Sequence, residues 1–343
     1  MSATQLARLL DPRPLTRGEI RSTFDVLTAV PTSDAERAAM LIALSSRGDR
    51  PGEVVGFARE MRRRAVPFPV PARDRAIDLC GSGGARVPSY NVSTAAALVV
   101  RAAGVPVVKH GNRSRRVCGS SDLLAALGLP VMSSPAFARA SYRRLGIAFL
   151  HAPLFHPATA AVAPVRLQLG VPTIFNRLGP LSNPARPRYQ VSGAADGAGA
   201  RATALLLRAL GVRHGLTMTS DDGCDEFSPR SLTTAFVWRD GVARRLRLRP
   251  SELLDREDRT GSWGPLPPPA AAEELERLLA GGGGARRGSI LLTAGAGLWI
   301  AGRARTLAAG AEAARIALDS GAAESVLARL RDLARTLPRS QEA

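Results

Sequence analysis

The chain is almost without lysine. Of its 47 basic residues one, Lys109, is a lysine, and every other is an arginine. It is also short of aromatics, at 4% of 343 residues, of cysteine, at three, and of histidine, at four. Each scarcity excludes something. The basic runs are not interleaved with aromatics, which argues against a platform on which single-stranded bases stack. Cys80, Cys118 and Cys224 are odd in number and lack zinc spacing, so neither a disulfide framework nor a zinc site is expected. They read as reduced thiols of a cytoplasmic protein and as small fillers. No apolar stretch is long enough to span a bilayer, and the N-terminus carries no signal-peptide pattern. Acidic residues number only 29, leaving a formal charge of +18. Such a field attracts nucleic acids and small anionic substrates alike. Arg62-Arg63-Arg64, Arg143-Arg144 and Arg244-Arg245 are read as solvated helix faces in preference to a nucleic-acid surface.

Against this background Lys109 stands out. A compact ammonium on a flexible stem is not interchangeable with a guanidinium. It follows Val105-Pro106-Val107-Val108, which reads as a buried strand end, and precedes His110-Gly111-Asn112-Arg113. Ligands of open α/β sheets bind at such carboxyl ends. Upstream, the strand-like Ala76-Ile77-Asp78-Leu79-Cys80 opens into Gly81-Ser82-Gly83-Gly84, then Asn91-Val92-Ser93-Thr94 and an alanine-rich helix. Glycines allow close approach to an anion, and the free N–H groups of a helix start favour phosphate. The spacing fits neither a Walker loop nor a dinucleotide fingerprint. Downstream, the strand Gly215–Thr219 leads to Ser220-Asp221-Asp222-Gly223-Cys224-Asp225-Glu226, with four carboxylates in six positions. Hard oxygens so clustered suit magnesium, particularly magnesium carried by a phosphorylated substrate; a solvated acidic loop is the alternative.

Hydrophobic content of 45% and 22% charged residues describe a globular chain. Residues 1–72 read as helical, with Thr16 and Ser33 as caps and apolar residues at helical spacing from Ala35 to Ser46. Pro67, Pro69 and Pro71 form a stiff link. From 73 to 165, strand and helix patterns alternate, which implies a mostly parallel sheet flanked by helices. Residues 166–188 are proline-broken, and alternation is expected to resume over 189–343. Gly281–Gly284 reads as a flexible connection.

Taken in order, these segments resemble anthranilate phosphoribosyltransferases, of the wider nucleoside phosphorylase/phosphoribosyltransferase superfamily. The matching stretches are Asp78–Gly84, Asn91–Thr94, Lys109–Ser114, Gly119–Leu124, His156-Pro157, Pro164–Arg166, Asn176–Pro184, Asp225-Glu226, Leu298–Gly302 and Asp319–Gly321. The nucleoside phosphorylases' own lysine–serine signature around the phosphate loop is absent. The resemblance implies an α/β fold with a small helical domain, formed by 1–72 and a helical excursion at about 166–188, and a larger α/β domain, 73–165 and 189–343. It implies transfer of phosphoribose from phosphoribosyl pyrophosphate to anthranilate with Mg2+, in a cytoplasmic homodimer of tryptophan biosynthesis.

By resemblance Gly81, Ser82, Gly83, Gly84, Asn91, Ser93, Thr94, Lys109 and Ser120 bind the donor. Ser93, Asp225 and Glu226 hold the metal. His110, Asn112, His156 and Arg166 receive the aromatic acid, Arg166 because its fork matches two carboxylate oxygens; His151 is left as structural. No acid–base or nucleophilic residue is assigned. An arylamine is already a free nucleophile, so catalysis rests on positioning and on stabilising pyrophosphate. The chain departs from the family in three places. Ala85 replaces an aspartate, Ser82 a threonine, and Arg115-Arg116-Val117-Cys118 is one residue short and lacks a second lysine. These departures keep two alternatives open, a different aromatic acid as acceptor and a catalytically silent nucleic-acid-binding homologue.

Overall fold

The computed structural model describes residues 3–48, 50–82, 87–113, 117–132 and 134–337. Four helices open the chain: α1 (Ala3–Leu10), α2 (Arg17–Thr28), α3 (Asp34–Ser46) and α4 (Pro51–Arg63). α2 and α3 begin in capping boxes, Thr16 with Glu19 and Ser33 with Glu36, each worth about 1 kcal/mol. α4 begins with Pro51, whose missing N–H costs nothing at a helix start. Their apolar stripes bury Phe24, Leu27, Met40, Leu41 and Phe57. The same core takes in Val162, Val165, Phe175, Leu178 and Leu181 from short helices that run between Ala152 and Leu181.

The other layer system is built on one seven-stranded sheet in the order β3-β2-β1-β4-β5-β6-β7. The strands are β1 (Ile77–Cys80), β2 (Val107–Gly111), β3 (Ile147–His151), β4 (Tyr189–Gly193), β5 (His214–Ser220), β6 (Thr233–Arg239) and β7 (Val242–Leu248). The first five are mutually parallel and buried, as expected of strands covered on both faces. Helix α5 (Val92–Ala102) is apolar nearly all round and lies in the largest core, with Ala285–Ile300.

Four sequence expectations need correction. Strand–helix alternation does not resume to the end of the chain: β5, β6 and β7 form an antiparallel meander, followed by helices. Asp240-Gly241, both at positive φ (45° and 92°), form the two-residue turn that folds β7 back on β6, and the loop 221–232 returns β6 beside β5. The tetraglycine is in part a helix cap, with the Gly282 nitrogen donating to the Arg277 carbonyl at 2.9 Å. A Cβ on Gly283 would stand 2.1 Å from Glu257 Oε1, and one on Gly282 2.7 Å from the Arg277 carbonyl. Arg62 is not solvated: 7% exposed, it donates to the Leu181 carbonyl at 2.6 Å and the Leu210 carbonyl at 3.2 Å. Arg64 turns back onto Glu60, Asp25 and the Phe24 ring. Arg244 and Arg245 lie on the edge strand β7, not a helix, where charged side chains discourage edge-to-edge pairing. Arg143 and Arg144 do lie exposed at the end of helix Pro135–Leu145. Among the described residues no single helix is long and apolar enough to cross a membrane.

Candidate active site

Chain order runs outward from β1 through β2 to β3, then returns to the other side of β1 at β4. The crevice beyond the carboxyl ends of β1 and β4 is therefore a topological switch point, where open α/β sheets bind ligands. Three chain segments meet there. β1 runs into Gly81 and Ser82, and β5 runs into the loop that carries Asp225 and Glu226. Ser82 donates to Asp225 Oδ2 from its backbone nitrogen at 2.7 Å and from Oγ at 2.6 Å. Gly193, at the end of β4, lets that loop close over the sheet: a Cβ there would lie 1.9 Å from the Asp225 carbonyl. The loop is fixed from behind by Ser220 Oγ, which donates to the Glu226 carbonyl at 2.8 Å, and by Ser289, which donates to the Phe227 carbonyl at 2.6 Å.

Lys109 lies inside β2 rather than after it, two residues from the strand's end. It is 3% exposed. Its ammonium donates to the Leu79 carbonyl at 2.5 Å and to Ser93 Oγ at 3.0 Å, on the first turn of α5. Ser93 in turn hydrogen-bonds Glu226. Ser82, Ser93, Lys109, Asp225 and Glu226 thus form one connected group drawn from four segments. Of the four clustered carboxylates only two point inward. Asp221 pairs with Arg247 at 2.9 Å, and Asp222 accepts from the Cys224 nitrogen.

Burial and the adjacent Asp225 push the Glu226 carboxyl up to about 8. Its Oε2 is buried without a hydrogen-bond partner. An orphaned acceptor beside a second carboxylate and a hydroxyl fits a hard divalent cation that takes most of its oxygens from a phosphate ligand and water. No group of three or more His, Cys, Asp or Glu placed to hold a metal occurs among the described residues.

Asn91 precedes α5 and donates to the Cys118 carbonyl at 3.1 Å, while Thr94 is buried in its first turn. Ser120 Oγ donates to the Asn112 carbonyl at 3.2 Å, so these two expected site residues are neighbours. Gly83, Gly84, Ala85 and the loop residues Ser114, Arg115 and Arg116 lie outside the described residues.

The histidines form a second group. The rings of His110 and His156 pack edge to face, 5.1 Å apart. Burial holds His110 down to about 3 and His156 to about 4, so both are neutral. His110 Nε2 is buried without a partner, while the His156 ring meets the backbone of Met61 and Ser182. An unsatisfied buried polar atom costs about 1–3 kcal/mol, so His110 Nε2 is a place for a polar ligand to bind. Arg166 stands on helix Ala163–Leu169, donates to Asn176 Oδ1 at 3.3 Å and lies 5.3 Å from the Phe175 ring. The stretch Ile174–Leu181 links the two groups, because Gly179 on it hydrogen-bonds His110. His151 is satisfied by Ser121 Oγ at 2.8 Å, in keeping with a structural role. All three cysteines are free; burial pushes Cys80 up to about 12 and Cys118 to about 11 and also raises Cys224, so none is a ready thiolate.

Two groups around the crevice carry no role in the sequence reading. Asp78, fully buried, accepts from the His110 nitrogen at 3.2 Å and from Asn183 Nδ2 at 2.9 Å. Gly193 shapes the metal-side loop. A carboxylate inside an apolar strand and a glycine at a strand end were the available signals.

Residues 73–324 match the α/β domain of a glycosyl transferase family, and residues 4–65 match that family's helical bundle domain. The chain is 40% identical to an anthranilate phosphoribosyltransferase of Methylorubrum extorquens over 332 residues, 95% of this chain and 97% of that one. It is 39% identical to that of Solibacter usitatus over 335 residues, 96% and 97% of the two chains. The crystal structure of the Thermus thermophilus anthranilate phosphoribosyltransferase superposes with a TM-score of 0.86 at 36% identity, covering 96% of this chain and 99% of that one. The Saccharomyces cerevisiae protein, solved in complex with PRPP and Mg, shares the fold at 23% identity, with a TM-score of 0.84 and 98% and 99% coverage. With family models over both parts and relatives matched along nearly its whole length, this chain belongs to the anthranilate phosphoribosyltransferase family.

Proposed function

We propose that the crevice beyond β1, β4 and β5 transfers phosphoribose from phosphoribosyl pyrophosphate to anthranilate. The observation that carries this reading is the buried Asp225–Glu226 pair, with Glu226 pushed to about 8 and one oxygen unpartnered, beside the chain's only lysine. In the reaction the amine nitrogen of the acceptor forms a bond to the anomeric carbon while the bond from that carbon to pyrophosphate breaks. Negative charge grows on the leaving group. Lys109 and the start of α5 face that charge, and the family resemblance gives Gly81, Ser82, Gly83, Gly84, Asn91, Thr94 and Ser120 to the same donor. Ser93, Asp225 and Glu226 would hold Mg2+, which when bound neutralises pyrophosphate oxygens.

On the acceptor side Arg166 takes the carboxylate. The neutral rings of His110 and His156, with Asn112, offer hydrogen bonds without a charge that would bind the amine's lone pair. The nitrogen becomes strongly acidic only after the new bond forms, so a weak acceptor then suffices for its proton. The division into a helical domain with the acceptor residues His156 and Arg166 and an α/β domain with the donor residues is part of this reading, as are a homodimer and a cytoplasmic location. Mixing the protein with phosphoribosyl pyrophosphate, Mg2+ and anthranilate should extinguish anthranilate fluorescence. Persistence of the fluorescence with donor bound overturns anthranilate as the acceptor.

A further inference from the structure

The carboxyl-terminal halves of β1 and β2 are not laced together like the neighbouring parallel strands. β1 pairs with β4 at four successive positions, from Ile77–Tyr189 to Cys80–Ser192, and β2 pairs with β3 at five. Between β1 and β2 the pairing is confined to Ile77–Val107. Beyond it, side chains take the backbone groups. The Val108 carbonyl accepts from Asn183 Nδ2 at 2.8 Å. The His110 N–H donates to Asp78 Oδ1 at 3.2 Å, and the Leu79 carbonyl accepts from Lys109 Nζ at 2.5 Å. The same Asn183 amide donates to Asp78 Oδ2 at 2.9 Å, and its own oxygen accepts from the Ala185 nitrogen at 2.9 Å. Both hydrogens of one amide and both oxygens of one carboxylate are therefore used, with Asp78 and Asn183 each 0% exposed.

Strand alternation places Asp78 and His110 on one sheet face and Leu79 and Lys109 on the other. The gap is bridged from both sides, and each of these strand groups that forgoes a ladder bond is satisfied. Burying a carboxylate is costly unless it is fully hydrogen-bonded. A cheaper way to satisfy these groups is to zip the two strands together, which this chain does not do. The opening sits where β1 runs into Gly81-Ser82 and β2 into Gly111-Asn112, and it is pinned by the same Pro180–Pro184 stretch that follows Gly179, the backbone partner of His110.

We propose that Asp78 and Asn183 form a positioning wedge. They hold the ends of β1 and β2 apart and set the placement of His110, Gly111 and Asn112 for the aromatic acceptor. The acceptor part of this inference rests on the function proposed above. The wedge acts through His110 and touches no substrate, so its removal should separate acceptor from donor constants. The Lys109 bridge on the opposite face stays intact.

The test uses the full chain with Asn183→Ala and, as an isosteric second variant, Asp78→Asn, both assayed well below their melting transitions. Hydrogen exchange at the amides of 107–112, read by mass spectrometry, is expected to quicken about tenfold or more. The KM for anthranilate should rise about tenfold, while the calorimetric Kd for phosphoribosyl pyrophosphate with Mg2+ stays within about threefold. Unchanged exchange in both variants overturns the wedge. So does faster exchange with the acceptor KM untouched, or with donor and acceptor constants weakened alike. If the wild-type chain fails to use anthranilate, it is the functional reading that fails; the exchange data still decide whether the pair holds the strands apart.

Discussion

Ser82 and Asp225, 143 residues apart in the chain, are joined by two hydrogen bonds to one carboxylate oxygen. This contact ties the end of β1 to the loop after β5 and leaves Glu226 facing Ser93 and Lys109. Asp225→Asn with Glu226→Gln keeps the volume and removes the negative charge a cation requires. Turnover of the double variant should fall by about 10³-fold or more with the fold intact. Wild-type turnover in steady-state assays would refute the metal role. Ser82→Thr keeps the hydroxyl and should be close to wild type.

Lys109 fills a slot between the Leu79 carbonyl and Ser93 that admits a point charge. Arginine brings a planar fork with no room to lie flat in a residue site 3% exposed. Lys109→Arg is expected to weaken phosphoribosyl pyrophosphate binding about tenfold or more, read by calorimetry. Wild-type affinity in that variant would mean that the ammonium serves the fold alone.

Arg166 reaches the acceptor side from a separate helix. Arg166→Ala should raise the KM for anthranilate by about 10- to 100-fold, the worth of a charge-assisted hydrogen bond, with little change in the donor KM. Equal effects on both substrates would remove the carboxylate assignment.

The neutral histidines make the fold acid-sensitive. His110 and His156 are held near 3 and 4, below the ordinary 6.5 of an unfolded chain. Their contribution to stability is complete above pH 6.5 and is lost as pH falls toward those values, because the unfolded chain takes up the protons first. For His156 the loss amounts to at most about 3 kcal/mol. Asp78 acts in the opposite sense: burial pushes it up to about 6, so its contribution is complete below about 3.8 and lost as pH rises through 6. Urea midpoints from pH 7 to pH 4 should fall more steeply for the wild type than for His156→Gln. Parallel curves would contradict a buried neutral His156.

Much of the architecture was legible because strong local signals agreed with the tertiary fold. The caps at Thr16 and Ser33, the apolar run of α5 and the buried strands β1, β2 and β5 follow from spacing and residue type. The meander was missed although Asp240-Gly241 announces it; the turn lies between strands whose arginines masked their alternation. The tetraglycine misled because composition cannot tell a loose linker from a helix-ending turn such as the one at Gly282. Within the site, residues with distinctive chemistry were found one by one. Asp78, Asn183 and Gly193 were not assigned roles, since what they do depends on partners 32 to 105 residues away in sequence.

The central claim is tested most directly by pyrophosphate release from phosphoribosyl pyrophosphate and Mg2+, measured with and without anthranilate. A transferase built as described releases pyrophosphate only with the acceptor present, in step with the loss of anthranilate fluorescence. No acceptor-dependent release would contradict that reaction, and absence of donor binding in the same protein would contradict the assignment of the crevice itself.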